Sequence, residues 1–142
     1  MNNMDLARKF YSLPRITAAD RVELISMFHP RARYHGVGKE DAVGRDAIER
    51  LFRKYEQNGR GITELRFDIR HMAAADNFVL IDMVDTFVIN GKPFSGVWSI
   101  VMEFQDGLIT YWQEHYPVAD LERLFAEKIE VTETASGPLK RV

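Results

Sequence analysis

The chain has 142 residues, of which 46% are hydrophobic and 28% charged, and its formal net charge is -2. These values are typical of one globular domain with enough apolar residues for a core and an internal pocket. Its basic residues are dispersed and it has no cysteine, which argues against a nucleic acid partner, disulfides, thiolate metal sites and cysteine nucleophiles.

The sequence also lacks an apolar signal core at its start and any run approaching the ~20 apolar residues of a membrane span. The expectation is therefore a cytoplasmic protein with no membrane partner. We expect one domain over residues 1–128 and a polar, mobile tail over 129–142.

Two helices are predicted near the start of the chain. The segment "MDLARKFY" is amphipathic and stops before Pro14, and "TAADRVELISMF" begins with Thr17 three residues before Asp20, as in a capping box. Pro30 is expected to end this second helix.

A third helix is indicated by "DAIERLFRKYEQNG", with Asp46 as the N-cap and Asn58-Gly59 as the stop. The stretch "ARYHGVGKEDAVG" before it is typical of a short strand followed by a loop.

After Gly61 the sequence alternates as strands do, with turns at Asp76-Asn77, Asn90-Gly91 and Asp106-Gly107. A final helix, "VADLERLFAEK", follows. Helices followed by an antiparallel meander predict an α+β fold with a curved sheet packed on helices from one side. The predicted strands are 62–75, 78–89, 92–105 and 108–116.

Two aspartates interrupt the apolar strand "NFVLIDMVDTFVI". Because side chains alternate along a strand, Asp82 and Asp85 must point to opposite faces. Asp85 shares its face with the bulkier apolar residues, so it is the better candidate for burial.

The turn at Asn90-Gly91 predicts that Asp85 pairs with Gly96 and Met83 with Trp98. A glycine opposite a carboxylate leaves a gap, and an apolar pocket there would raise the pKa of Asp85 toward the range of acid/base catalysis. The alternative is a structural carboxylate bonded to Tyr34 or to a backbone amide.

The next hairpin leaves two possibilities for the second acid/base group. A two-residue turn at Asp106-Gly107 would place His115 on the Asp85 face. A three-residue loop with a glycine bulge would place Glu114 and Trp112 there.

The segments "ARYHGV", "GRDAIE", "DGLITYW" and "YWQEHY" with the helix after it resemble the SnoaL-like and limonene epoxide hydrolase-like branch of the nuclear transport factor 2-like superfamily. The resemblance covers about 17–127. It implies a cone of strongly bent antiparallel sheet, closed by the N-terminal helices around an internal pocket, and commonly a homodimer.

In the epoxide hydrolases of this superfamily, two aspartates and an arginine act on a water and an epoxide, aided by a tyrosine and an asparagine. Matched to this chain, Asp85 and Tyr34 are kept, and Glu114 replaces the second aspartate. Met83 stands at the arginine position and Gly36 at the asparagine position.

The remaining set resembles the polyketide cyclases, ketosteroid isomerase-like enzymes and scytalone dehydratase-like lyases, which use no cofactor. The resemblance implies that Asp85 acts with Glu114 or His115, and that Tyr34 or His35 donates hydrogen bonds to a substrate oxygen. The expected ligand is a small hydrophobic cyclic molecule. Its predicted binding residues are Ile81, Met83, Phe87, Gly96, Trp98, Met102, Phe104 and Trp112.

Three functional hypotheses follow: an isomerase, cyclase or dehydratase; an altered epoxide hydrolase; or a ligand-binding or dimerisation module without catalysis. No metal site is expected, because the histidines lack HxH and HExxH spacing. An outer sheet face with Leu80, Val84 and Val88 would be partly exposed in a monomer, which favours a homodimer.

Overall fold

The structure is a computed structural model, and it describes residues 1–55 and 62–124. Helices come first, followed by long strands, in the α+β arrangement that the sequence predicts. The elements are α1 (Asn3–Ser12), α2 (Ala18–Ser26), β1 (Phe28–Gly36), β2 (Glu40–Val43), α3 (Arg45–Tyr55), β3 (Ile62–Ala75), β4 (Phe78–Ile89), β5 (Lys92–Gln105) and β6 (Leu108–His115). Residues 118–124 are helical.

The starts of the first two helices follow from local chemistry. Thr17 and Asp20 form the predicted capping box of α2, and Asn2 and Asp5 form another at the start of α1. Each box satisfies backbone N–H groups that have no partner inside the helix.

Three local predictions are wrong. α2 ends at Ser26, and Pro30 lies within β1 at an interruption of the β1–β6 pairing, where a missing N–H costs no ladder bond. α3 begins at Arg45 after Gly44, whose carbonyl accepts the first helical bond from Ile48, so Asp46 lies in the first turn. The loop after β1 contains the strand β2.

Two further predictions lie outside the described residues. One is the helix stop at Asn58-Gly59, and the other is the domain boundary at residue 128 with the tail over 129–142.

The six strands form one curled, unclosed sheet in the order β2-β1-β6-β5-β4-β3. The four strands β3 to β6 form the predicted antiparallel meander, while β1 returns to pair parallel with β6. The predicted pairs of Asp85 with Gly96 and Met83 with Trp98 are confirmed. Positive φ angles at Asn90 and Gly91 accompany this two-residue turn.

The β5–β6 hairpin combines features of both predicted alternatives. The turn at Asp106-Gly107 has two residues, but Thr110 is an extra residue opposite Glu103 and Phe104. This bulge exchanges the two faces of β6 beyond it. Glu114 consequently pairs with Ile100 and points inward. Trp112 pairs with Met102 and also points inward.

The helices cover the concave face of the sheet through an aromatic cluster. The ring centroid of Phe10 on α1 lies 5.2 Å from that of Trp112, 5.6 Å from Phe28 and 6.1 Å from Phe52. The opposite face of the sheet is more exposed, with Leu80 at 51% and Val97 at 47%. The concave side therefore holds both the core and the cavity.

Candidate functional site

A cavity of about 130 Å³ lies between the helices and the concave face of the sheet. Most of its wall is apolar, and the charged and hydroxyl-bearing side chains project from α1, the α1–α2 connection, α2, and the strands β1, β4 and β6 or their ends. The lining residues are Tyr11, Arg15, Arg21, Leu24, Tyr34, Leu51, Phe52, Ile62, Leu65, Phe67, Asp85, Phe87, Trp98, Trp112, Glu114, Tyr116 and Leu121.

Glu114 is the hydrogen-bonded carboxylate of the cavity. The hydroxyl of Tyr34 donates to its Oε1 at 2.9 Å, and that of Tyr11 donates to its Oε2 at 3.4 Å. The Tyr11 oxygen in turn accepts a 2.9 Å bond from Nε1 of Trp112. Burial raises the pKa of Glu114 to about 7, although the two tyrosine bonds and the charge of Arg15 favour the ionised form.

Gly36 makes room for the bond between Tyr34 and Glu114. A Cβ at this position would lie 2.8 Å from the Tyr34 hydroxyl and 3.2 Å from two of its ring carbons. Gly36 also pairs directly with Glu114 across the parallel β1–β6 ladder. A side chain at this position would therefore compete for the volume that the tyrosine hydroxyl and ring occupy.

Asp85 is the unbonded carboxyl group of the cavity. It is 4% exposed, and its buried Oδ1 has no hydrogen-bond partner among residues 1–55 and 62–124. Burial raises its pKa to about 8, and the charge of Glu114 adds to this effect, while Arg15 opposes it. The sequence left open that Asp85 is a structural carboxylate bonded to Tyr34. The Tyr34 hydroxyl donates to Glu114 instead, so this bond is not formed.

Arg15 brings a buried positive charge to the same cavity. It is 8% exposed, and its guanidinium carbon lies 4.6 Å from the ring centroid of Phe67 and 4.8 Å from that of Phe10. Nη1 and Nη2 donate to the carbonyl oxygens of Leu13 and Phe10. Burial lowers the pKa of Arg15 to about 10, so the group is cationic at neutral pH.

The cavity includes part of the predicted apolar wall. Phe87, Trp98 and Trp112 line it. Four other predicted binding residues are buried on the same face but nearer the β3–β4 and β5–β6 turns, where they pack in the core. These four are Ile81, Met83, Met102 and Phe104.

Gly96 also does not line the cavity. A Cβ there would lie 2.9 Å from Cγ of Pro117 and 3.2 Å from a ring atom of Trp98. The gap that the sequence predicts beside Asp85 is thus occupied by the chain after β6 and by aromatic rings.

The two candidate histidines point away from the cavity. His35 alternates with Tyr34 along β1 and lies 2.5 Å from Asp41 on β2. His115 is on the outer face, because the bulge at Thr110 turns Glu114 inward. The structure therefore does not bring His35 or His115 to Asp85.

Three polar residues of the cavity are not among those predicted from the sequence: Arg15, Tyr11 and Tyr116. Arg15 follows Pro14 in the short connection "LPRIT", which is typical of an exposed turn. The sequence signal for an inward-facing charge was the position of Arg15 as a single charged residue between the apolar residues Leu13 and Ile16.

The described residues, 1–55 and 62–124, contain no group of three or more His, Asp or Glu side chains arranged to hold a metal ion. In the same part of the chain, no helix has the length and apolarity needed to span a bilayer.

Comparison with known proteins shows that this fold is shared with solved structures of LEH-like and NTF2-like proteins. An LEH-like epoxide hydrolase of Mycobacterium tuberculosis superposes with a TM-score of 0.69 and 19% identity, over 92% of this chain and 93% of that one. An NTF2-like protein of unknown function from Burkholderia pseudomallei gives 0.75 and 17%, over 88% and 98%. Bal32a, from a soil-derived mobile gene cassette, gives 0.71 and 24%, over 87% and 95%.

Residues 7–112 match the family model of the SnoaL-like domain. The chain belongs to the SnoaL-like family. No functionally curated protein matches it in sequence.

Proposed function

We propose that this protein is an enzyme that performs general acid/base catalysis on a small hydrophobic cyclic molecule. The proposal rests on one observation: Asp85 is a buried carboxyl group that has no hydrogen bond within the described part of the chain, and it shares a mostly apolar cavity with Glu114. A carboxyl group in such surroundings costs stability, and groups of this kind cluster at catalytic sites.

The different surroundings of the two carboxyl groups assign their roles. Asp85 has a pKa of about 8 and holds its proton at neutral pH, so it is the general acid. Glu114 has a pKa of about 7 and receives two tyrosine bonds that favour its ionised form, so it is the general base. Two carboxyl groups with separated roles are a recurring solution for acid and base chemistry at one pH.

The leading reaction class is an isomerisation, cyclisation or dehydration through an enol. Glu114 removes a proton from carbon beside a carbonyl group while Asp85 donates its proton to the carbonyl oxygen. Glu114 then returns its proton to a different carbon while Asp85 takes back the enol proton, which completes an isomerisation and restores both carboxyl groups.

Arg15 favours an epoxide hydrolase as the second candidate. In that reaction Glu114 removes a proton from water, the water oxygen attacks one epoxide carbon, and Asp85 protonates the oxygen that leaves the other carbon. The superfamily arginine is Met83 here, and Arg15 supplies a cation to the cavity from a different part of the chain.

The two classes are separable with six-membered ring compounds. We expect either isomerisation of 3-cyclohexenone to the conjugated 2-cyclohexenone or hydrolysis of cyclohexene oxide to the diol. The rate should rise through about pH 7 as Glu114 ionises and fall through about pH 8 as Asp85 loses its proton. Initial rates from pH 5 to 10 measure this profile.

Asp85→Asn and Glu114→Gln should each lower kcat/KM by about 10²- to 10⁴-fold, the contribution of one general acid or base. His115→Gln, on the outer face beside Glu114 in sequence, is the matched control and should retain the full rate. If the ring compounds bind but are neither isomerised nor hydrolysed, the result would instead support a ligand-binding module.

We also propose that the outer sheet face is a homodimer interface. Its exposed Leu80 and Val97, with half-buried Val84, Val88 and Val101, form an apolar surface that a monomer would leave in water. We expect light scattering after size exclusion to give twice the 16.4 kDa chain mass. Leu80→Lys should shift the protein toward a monomer, and a wild-type protein that is monomeric at all concentrations would contradict the interface.

A further inference from the structure

Arg15 has hydrogen-bonding capacity that the described protein does not use. A guanidinium carries five N–H donors. Two of them bond to the carbonyl oxygens of Leu13 and Phe10, and no carboxylate of the described residues forms an ion pair with the group. Three donors therefore remain on a charged side chain that lines the cavity.

The position of this guanidinium is fixed by its neighbours. Aromatic rings of Phe10, Tyr11, Phe52 and Phe67 lie between 4.6 and 6.0 Å from its central carbon. Such contacts stabilise a cation but give its N–H groups no acceptor. A buried charge in this state is costly unless an acceptor completes it.

Asp85 is the complementary unsatisfied group. Its Oδ1 is buried and has no partner among the residues that the structure describes, and its carboxyl group lines the same cavity as Arg15. A carboxyl group that carries its proton can donate one hydrogen bond. Arg15 and Asp85 together offer donors to one oxygen atom, whereas Glu114 already accepts two tyrosine bonds.

The size and charge of the cavity restrict the ligand further. An apolar protein cavity of about 150 Å³ holds one benzene molecule, and this cavity measures about 130 Å³. Ionised Glu114 balances the charge of Arg15, so a neutral ligand is accommodated without a net buried charge. Half-exposed Arg21 and Tyr116 mark the side on which a substituent can reach solvent.

We propose that Arg15 and Asp85 bind one oxygen of a neutral single-ring substrate and stabilise the negative charge that develops on this oxygen during the reaction. This inference rests on the acid/base function proposed above and adds to it a substrate class and a cation from the α1–α2 connection. Donors aimed at a developing oxyanion in a site of low polarity are among the largest contributions to catalysis.

The test uses 4-nitrophenol, a single-ring compound whose oxygen ionises with a visible absorbance change. Titration of the full-length protein with the dye gives its affinity, and the spectrum of the bound dye from pH 5 to 9 gives its phenolate fraction. We expect the ratio of phenolate to phenol to be at least about tenfold higher for the bound dye than for free dye at the same pH, a pKa lowering of one unit.

Arg15→Met should remove this increase, and Arg15→Lys should retain part of it because the charge remains. Arg45→Met is the matched control, because Arg45 also donates to a backbone carbonyl, that of Phe28, but does not line the cavity. The control should keep the full dye response. This readout separates an electrostatic role from a structural one, since loss of packing alone would not move the phenolate fraction of dye bound to folded protein.

Three results would overturn the inference: no binding of the dye, a bound dye no more ionised than free dye, or an unchanged response in Arg15→Met. If Arg15→Met does not fold, the wild-type spectrum and the Arg15→Lys variant still decide between the outcomes. The dye measurement requires no turnover. A positive dye result without turnover of either ring compound would therefore contradict the proposed function alone.

Discussion

Replacing Asp85 with asparagine is expected to make the protein more stable at neutral and alkaline pH while lowering the proposed acid/base activity. The ordinary pKa of this carboxyl group is 3.8, and burial raises it to about 8 in the folded protein. Below pH 3.8 the group is protonated in both states. Between pH 3.8 and about 8 the unfolded chain is ionised while the folded protein keeps the proton, so the folded state loses stability across this range and regains none above it.

The size of the effect follows from the same shift. One pKa unit corresponds to about 1.4 kcal/mol, so the shift of Asp85 amounts to ~5 kcal/mol at pH 9. The buried asparagine amide would have incomplete hydrogen bonds, which costs about 1–3 kcal/mol and reduces the gain in stability by that amount. We therefore expect Asp85→Asn to raise the free energy of unfolding by about 2–4 kcal/mol at pH 9, measured by urea denaturation, and by much less at pH 5.

Asp82→Asn is the matched control on the same strand. Asp82 accepts a bond from Arg70 and lies 2.9 Å from His71 on the outer face, and the bond from Arg70 lowers its pKa. Its ionised form is favoured by folding, so this variant should lose stability rather than gain it at neutral and alkaline pH. Equal pH profiles for the two variants would contradict the burial of Asp85 as an unpaired carboxyl group.

Phe10→Ala is expected to lower the free energy of unfolding by about 3–5 kcal/mol, the cost of removing a fully buried aromatic ring. Phe10 has no exposed surface, and its ring joins α1 to Phe28 and Trp112 on the sheet. The guanidinium carbon of Arg15 lies 4.8 Å from the centroid of the same ring. Loss of the ring should consequently reduce both the stability and the dye response.

The exposed Val22 provides the comparison, because 69% of its surface is in water. Val22→Ala should change the free energy of unfolding by less than about 0.5 kcal/mol. Urea denaturation at pH 7, with dye binding measured on the folded fraction, tests both variants. A loss below 1 kcal/mol for Phe10→Ala would show that α1 does not close the core.

The sequence was sufficient for the strands and for Asp85, because both depend on local signals. Alternation of apolar residues and three turn dipeptides gave strand limits that agree with the structure to within one residue. The same alternation placed Asp85 inward and Asp82 outward. These features depend on period and turn chemistry, which a short window of sequence contains.

The remaining features of the site depend on contacts between distant segments. The choice between Glu114 and His115 required knowledge of the bulge at Thr110, which no turn dipeptide marks. Arg15 faces inward only because rings from α1, α3 and β3 surround it. Exposure of an arginine beside a proline was the reasonable local expectation, and tertiary packing reversed it.

The bulge at Thr110 also has a consequence for how this site can change over generations. Most substitutions along β6 alter one side chain, but a change that let Thr110 pair with Glu103 would remove the bulge and turn every later residue over. The cavity would then receive Tyr111, Gln113 and His115 in place of Trp112 and Glu114. A single register change in this hairpin would thus exchange a carboxylate for an imidazole in the cavity while leaving the other strands and the helices in place.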